Sequence, residues 1–174
     1  MTFPFPRTGP FAHVGQITVA EYHRMIKDGV FDTKEKERTE LIEGWIVPKA
    51  RQSPEHCFVK CGLVDWFRDR ELPGGWMYSQ VASLVTEDSH PEPDGQVVRA
   101  DWMKKPGRYP RADESALVLE AADVSLDFDR TVKLRVYARA LVPEYWVANL
   151  TDRRIEVYTN PVIPATGAPF YATR

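Results

Sequence analysis

Three charged residues in the middle of the chain have the chemistry needed to hydrolyse a phosphodiester. Asp94 follows two nearby prolines at the start of a predicted strand, Glu120 lies inside an apolar stretch, and Lys133 lies in the next predicted helix. Mg²⁺ prefers carboxylate oxygens and keeps positions open for water and for phosphate oxygens. A lysine beside such a cation can orient water or stabilise negative charge. These residue types therefore suit metal-dependent phosphodiester hydrolysis.

Glu120 is an unusual residue for its surroundings. Residues 115–122 are apolar at nearly every position, which predicts a strand buried on both faces. Burial of an unpartnered carboxylate is very unfavourable, so Glu120 needs a metal ion, a hydrogen-bonded base or an open cleft. A structural salt bridge in the core is the alternative to a functional site.

The helix predicted over residues 129–141 turns Lys133 toward the core. With about 100° between successive residues, Lys133 and Asp129 fall within the apolar arc around Val132. Lysine is rarely buried, so the alternative is a packed stem whose ammonium reaches solvent. Asp129 is expected to cap the helix N-terminus and face Lys133 rather than bind metal. The side predicted to face outward carries Thr131, Arg135, Ala138 and Arg139.

The remaining elements indicate an α+β fold. We predict a capped helix over 19–27, a hairpin over 40–47 that turns at Gly44, and a helix that begins at Pro54. Strands are predicted at 76–86, 94–100, 116–122, 144–148 and 154–159. The connections are too short for regular βαβ units, so the strands are expected to form a central mixed sheet flanked by helices. The second helix is expected to place Phe58, Cys61, Val64 and Phe67 on one side.

Length and proline placement predict one domain with short arms. The chain has 174 residues, which suits a single compact domain. Prolines cluster at both ends, so we expect an N-terminal Pro-rich arm over 1–16, a domain over 17–160 and a C-terminal Pro-containing arm over 161–174. No apolar run is long enough to cross a membrane, and residues 1–10 lack a signal-peptide core, so a cytoplasmic protein is expected.

The charge balance gives no general affinity for nucleic acid. The formal net charge is −2, whereas a protein that coats nucleic acid is strongly basic. Any contact with DNA must therefore use local charge. Residues 99–111 hold five basic residues and one acidic residue, with Trp102 and Tyr109 between them, and this loop could follow a phosphate backbone. A solvated charged loop is an equally good interpretation.

The two cysteines do not indicate a metal site. Cys57 and Cys61 lie four residues apart in the second predicted helix, without further soft ligands nearby. We expect both to pack in the core. His13, His23 and His90 are expected at the surface or in an arm.

Several motifs, taken together, resemble the Uma-type putative restriction endonuclease family of the PD-(D/E)XK nuclease superfamily. The similarity extends over about residues 17–160 and is densest from residue 117 to residue 146. The motifs that carry it are residues 17–22, 40–44, 53–56, 89–94, 117–120, 129–133 and 137–146.

The resemblance implies a restriction-endonuclease-like core and a set of site residues. Asp94 matches the aspartate of the PD element, and Glu120 matches the acid on the next strand; both would bind the metal. The usual lysine two positions later is replaced by Ala122, so Lys133 from the helix takes its place. Glu40 matches an upstream acid that could hold metal or water. Three further positions bear on the match: His56 fits a recurrent position that could orient a carboxylate or phosphate, whereas Gly95 and Trp45 depart from the usual pattern.

These observations favour a Mg²⁺- or Mn²⁺-dependent endonuclease that hydrolyses DNA, with a homodimer expected by analogy with restriction enzymes. A catalytically inactive nuclease fold used for binding is the alternative. A metal-dependent hydrolase of a small phosphorylated substrate is a third hypothesis.

Overall fold

A computed structural model describes residues 15–32, 38–49, 51–80 and 86–174. The predicted N-terminal arm therefore lies almost wholly outside the described residues. The first half contains α1 (Val19–Lys27), β1 (Thr39–Ile42), β2 (Trp45–Pro48), α2 (Pro54–Arg68), β3 (Trp76–Ser79) and β4 (Gly95–Arg99). The second half contains β5 (Ser115–Ala122), α3 (Leu126–Phe128), α4 (Leu134–Arg139), β6 (Glu144–Asn149), β7 (Arg154–Val162) and β8 (Phe170–Thr173). Within these ranges no helix is long and apolar enough to cross a membrane.

A mixed six-stranded sheet forms the centre of the fold. The strand order is β3-β4-β5-β6-β7-β8, and only the central pair β5–β6 is parallel. The β1–β2 hairpin forms a separate two-stranded sheet, with its turn at Glu43 and Gly44, both at positive φ. The predicted α+β class and the hairpin are confirmed.

Helices cover both faces of β5, as its continuous apolar sequence predicts. On one face Leu119 packs with Leu63 of α2, and on the other Val118 packs with Tyr137 of α4. Because side chains alternate along a strand, Glu120 shares the α4 face with Val118. The acid is thus directed toward the helical segment that carries Lys133.

The helix after β5 contains a wide turn that periodicity did not predict. It begins at Leu126 rather than at Asp129, and residues Asp129–Lys133 form a π-helical turn in which the Leu134 N–H bonds the Asp129 carbonyl. A π turn adds one residue to the helix and shifts the phase of the residues after it. Ala138, predicted to face outward, is therefore fully buried in the main core. Lys133 and Asp129 are buried as predicted.

The C-terminal residues contribute to the sheet. Residues 161–174 were expected to form an extended arm, but Phe170–Thr173 pairs with β7 as the last strand. Tyr171 is buried and its hydroxyl donates to the Val142 carbonyl at 2.9 Å. Pro164 and Pro169 lie in the connection between the two strands, and Pro161 lies opposite Tyr171 near the edge of the sheet, where a missing amide donor is tolerated.

The buried side of α2 differs from the predicted one. Val59, Leu63 and Phe67 pack against the sheet, whereas Phe58 is 81% exposed. The expectation that both cysteines pack in the core is wrong, since Cys57 and Cys61 are both exposed. Helix periodicity explains this, because positions 59, 63 and 67 form one stripe to which 57, 58 and 61 do not belong.

Gly95 allows a tyrosine ring to lie directly over β4 beside Asp94. A Cβ atom at Gly95 would lie 2.1 Å from the hydroxyl oxygen of Tyr78 and 2.7 Å from its Cζ. The Tyr78 ring is stacked on Phe67, with centroids 4.4 Å apart, so it has little freedom to move. Any residue with a Cβ atom at this position would therefore clash with Tyr78.

We predict that Gly95→Ala lowers the free energy of unfolding by about 1–3 kcal/mol, as overpacking does. In the Tyr78→Val background the same change should cost much less, which a double-mutant cycle by urea unfolding measures. Gly62→Ala is the matched control, because a Cβ there meets nothing within 4 Å and a helix-interior alanine should stabilise by up to about 1 kcal/mol. Equal costs of Gly95→Ala in both backgrounds would contradict the steric explanation.

Candidate active site

The residues predicted to carry chemistry line one cleft of about 240 Å³. They come from β1, the N-terminus of α2, the residue before β4, strand β5 and the π turn. The predicted set that meets there is Glu40, His56, Asp94, Glu120, Asp129 and Lys133. The structure thus brings together all six positions.

Lys133 lies at the base of the cleft between two carboxylates. Its Nζ is 2.8 Å from Oε1 of Glu120 and 3.1 Å from Oε1 of Glu40. The side chain is only 5% exposed, so its ammonium is buried at the cleft and does not extend into bulk solvent. Although burial opposes charge, the surrounding carboxylates raise the pKa of Lys133 well above its usual value. The ammonium is therefore charged at neutral pH.

Glu120 is held by two donors on the same oxygen. The hydroxyl of Tyr137 donates to Oε1 at 2.7 Å, alongside Lys133. Burial raises the pKa of Glu120 above its usual value despite the attraction of Lys133, and neighbouring carboxylates add to the rise. Glu120 therefore holds a proton more readily than an exposed carboxyl group would.

Asp94 has a different environment from Glu120. Its Oδ2 accepts from the Ala121 N–H at 3.0 Å, while Oδ1 lies 3.1 Å from Nε2 of His56 and 3.5 Å from Nζ of Lys60. Although burial opposes ionisation, His56 and the Ala121 amide hold the pKa of Asp94 well below its usual value. Asp94 is thus a fixed, ionised carboxylate.

Glu40 connects the hairpin to the segment that leads into Asp94. Its Oε1 accepts from the Glu92 N–H at 2.6 Å and lies 3.7 Å from Nζ of Lys49. Against the effect of burial, Lys133, Lys49 and the Glu92 amide lower the pKa of Glu40. Glu40 is therefore an ionised partner of Lys133 in the cleft.

Asp129 is not the N-cap that its position suggested. The helical segment starts earlier, and Ser125 donates its hydroxyl to Oδ2 of Asp129 at 2.7 Å. The Tyr145 hydroxyl donates to the Asp129 backbone carbonyl at 3.1 Å. Burial raises the pKa of the Asp129 carboxyl despite the attraction of Lys133. Asp129 thus adds a further carboxyl group to the cleft.

Three site residues were not predicted from the sequence. Tyr137 lies four residues after Lys133, and Lys60 four residues after His56, so helical spacing could have indicated both. Lys49 follows β2, and its ammonium bonds the Glu92 carbonyl. No sequence pattern identifies a residue in that position.

His90 is buried rather than exposed as expected. Its backbone bridges to Leu41, and its ring Nδ1 lies 2.9 Å from Nε2 of His23. Tyr22 and Tyr109 pack around the ring at centroid distances of 5.6 and 4.6 Å. Pairing with β1 therefore places His90 beneath α1.

The cations of the loop over residues 99–111 are largely paired within the loop or with the acidic residues just after it. Arg108 forms a bidentate pair with Glu114 at 2.6 Å, and Arg111 lies 3.3 Å from Asp113. Lys105 lies 3.3 Å from both Asp101 and Glu114. The local excess of positive charge is consequently less available to DNA than the sequence suggested.

Comparison with known proteins now identifies the family. A family model described as "Uma2: Putative restriction endonuclease" matches residues 19–167. The chain belongs to the Uma2 family. Family membership indicates a nuclease. No curated protein matches the chain.

The fold of this Uma2 protein is similar to that of a solved structure. The relative is a putative nuclease belonging to DUF820 from Anabaena variabilis ATCC 29413, at a TM-score of 0.56 and 15% identity. The match covers 86% of this chain and 89% of the other. It confirms the predicted mixed-sheet architecture.

We predict that Lys133→Met lowers the free energy of unfolding by about 3–5 kcal/mol, because it leaves buried carboxylates without their cation. Adding Glu120→Gln should restore part of the loss by removing one of those charges. Urea unfolding at neutral pH measures both variants. The deficit of Lys133→Met should also shrink as the pH falls, since the carboxylates then bind protons; a deficit independent of pH would contradict this account.

His90 gives a separate pH dependence of stability. Burial lowers the pKa of His90 to about 4, whereas an unfolded histidine titrates near 6.5. Between these values the unfolded state binds the extra proton, so stability is lost as the pH falls from about 6.5 to about 4. This contribution is about 3 kcal/mol.

The His90→Phe variant should lack this part of the acid sensitivity, measured as the difference in free energy of unfolding between pH 7 and pH 4.5. His23→Phe, in the partly exposed partner, is the control and should retain most of it. Identical acid sensitivity in the native protein and His90→Phe would contradict the assignment.

Proposed function

We propose that this Uma2 protein is a Mg²⁺- or Mn²⁺-dependent endonuclease that hydrolyses DNA phosphodiester bonds. The observation that carries the proposal is the convergence of Asp94, Glu120 and Lys133 in one cleft. The description of the family and the nuclease title of the structural relative support the same reaction class.

The donor set fits a hard divalent cation. Asp94 and Glu120 would hold it, with water and substrate phosphate oxygens completing the shell, which is how Mg²⁺ usually binds. In the part of the chain that the structure describes, no three His, Cys, Asp or Glu side chains form a complete metal cage, so substrate oxygens would be needed. Lys133 and Tyr137 both bond Oε1 of Glu120, so neither uses Oε2.

The electrostatics of the cleft also favour a cation. Five carboxyl groups line it, from Glu40, Asp94, Glu120, Asp123 and Asp129, against the three basic side chains of Lys49, Arg51 and Lys133. Of these bases, Lys133 is the buried one. Burial is the main cause of the raised pKa values of Glu120 and Asp129, and the neighbouring carboxylates add to the rise. Positive charge brought into the cleft would relieve the repulsion between the carboxylates.

The protein's own residues would divide the work. A bound cation would polarise the phosphate and favour ionisation of water. Lys133, fixed between Glu40 and Glu120, would stabilise the negative charge that develops on the phosphoryl oxygens. His56 and the Ala121 amide would keep Asp94 ionised and oriented, and Tyr137 would orient Glu120. Water would add to phosphorus as one P–O ester bond breaks, and its proton would end on the leaving oxygen.

We predict that Glu120→Gln reduces Mg²⁺-dependent cleavage of DNA at least 100-fold, the scale of losing a key charged group in a site. A glutamine oxygen can still accept from Lys133 and Tyr137, so the variant should fold and show a thermal transition close to that of the native protein. Cleavage is measured on supercoiled plasmid with Mg²⁺ or Mn²⁺. Glu144→Gln, an acid at the start of β6 outside the cleft, is the control, and undiminished cleavage by Glu120→Gln would overturn the assignment.

A catalytically inactive binding module is the second candidate. It is favoured by the bonds of Lys133 to both Glu40 and Glu120, which already satisfy part of the site without a metal ion. Calorimetric titration with Mn²⁺ separates the two candidates. A nuclease should show binding that Asp94→Asn weakens, whereas an inert module should show none that depends on Asp94.

A further inference from the structure

A second groove lies beside the catalytic cleft and is not used by the proposed reaction. It has a volume of about 1020 Å³ and lies between α2, the end of β6 and the start of β7. We call it the side groove and define it by Phe58, Val59, Asp123, Ala148, Arg153 and Ile155. Most of its surface is apolar, and polar and charged side chains line the rest.

Phe58 is exposed to an unusual degree for an aromatic side chain. It is 81% exposed on α2, and Ile155 on β7 is 49% exposed. Large apolar side chains gathered at one open groove often mark a binding surface. The ring of Phe58 thus offers a flat apolar face to a ligand.

The side groove is continuous with the catalytic cleft. Asp123 lines both, and α2 contributes His56 to the cleft and Phe58 to the groove. The cleft and the groove adjoin at the N-terminus of α2, where the consecutive residues Ser53 and Pro54 line one each. Successive nucleotides of a stacked strand are about 3.4 Å apart, so a strand with one phosphate in the cleft reaches the groove within one or two nucleotides.

We propose that the side groove holds an unpaired nucleobase of the strand whose phosphate lies in the catalytic cleft, stacked on Phe58. This inference rests on the proposed function. Aromatic stacking accepts any base, because every base has a π-face. Arg153 is exposed in the β6–β7 turn and lines the groove, where it can contact the adjoining phosphate.

The charge of the groove favours a base over a run of phosphates. Arg153 and Arg154 line it, but so do Glu55 and Asp123. Arg154 is itself paired with Asp152 at 2.8 Å. A balanced, apolar groove suits the uncharged part of a nucleotide, and single-stranded or frayed DNA presents that part without a cost of unpairing.

The test uses the full-length protein and the variant Phe58→Ala. Binding of a fluorescein-labelled oligothymidylate is measured by anisotropy with Ca²⁺, and cleavage of the same strand with Mn²⁺. Phe58→Ala should weaken binding and raise KM about tenfold, the effect of losing one stacked base.

Phe170→Ala is the matched control, because Phe170 is an exposed aromatic residue on β8 and does not line the groove. The Phe170→Ala variant should bind the oligonucleotide as the native protein does. As a second control, an oligonucleotide that lacks the base next to the cleaved bond should bind the native protein and Phe58→Ala equally well. Binding that depends on Phe58 without any cleavage would support the groove and contradict the nuclease. The groove assignment would be overturned if Phe58→Ala bound and cleaved the strand as well as the native protein does, or if the native protein did not bind the strand.

Discussion

The buried ammonium of Lys133 is the interaction on which the rest of the site depends. It bonds Glu40 of the hairpin and Glu120 of the central strand, so one charge joins two separate sheets through the π turn. Burying these carboxylates without a cation would be strongly destabilising. The position of the hairpin against the main sheet, and the depth of the cleft, therefore both depend on Lys133.

The π turn makes this arrangement possible. In a regular helix the residues after Lys133 would have a different phase, and Tyr137 and Ala138 would not both face the core, as they do here. The turn lets Lys133 and Tyr137 reach the same oxygen of Glu120 while Val132 and Val136 pack beneath the hairpin. The pKa of Asp94 is lowered whereas that of Glu120 is raised, and the π turn does not cause this difference. It arises because Asp94 is held by His56 of α2 and by the Ala121 amide.

The sequence allowed the site to be predicted where residue type conflicts with its surroundings. Glu120 lies within an apolar strand and Lys133 lies on an apolar helix face, so each required a charged partner. In the structure the two residues are each other's partners. Elements with caps or regular periods were also predictable, as for α1 and α2. The orientation of the residues that follow the π turn could not be predicted, because hydrophobic spacing does not reveal the extra residue that a π turn inserts. The burial of His90 and the pairing of β8 depend on long-range contacts that local patterns do not contain.

The charge distribution explains how a chain with a net charge of −2 can suit a polyanionic substrate. Five carboxyl groups concentrate negative charge in the cleft, and three of the five loop cations that could attract DNA, Lys105, Arg108 and Arg111, are paired with acids. A phosphate entering the cleft alone would be repelled by the excess of carboxylates. On the proposed function, a divalent cation held by Asp94 and Glu120 would offset the negative charge of the cleft. The same cation would then be needed both to bind the substrate phosphate and to hydrolyse it. Because long-range attraction is weak, uncharged contacts such as stacking on Phe58 become the natural source of additional affinity.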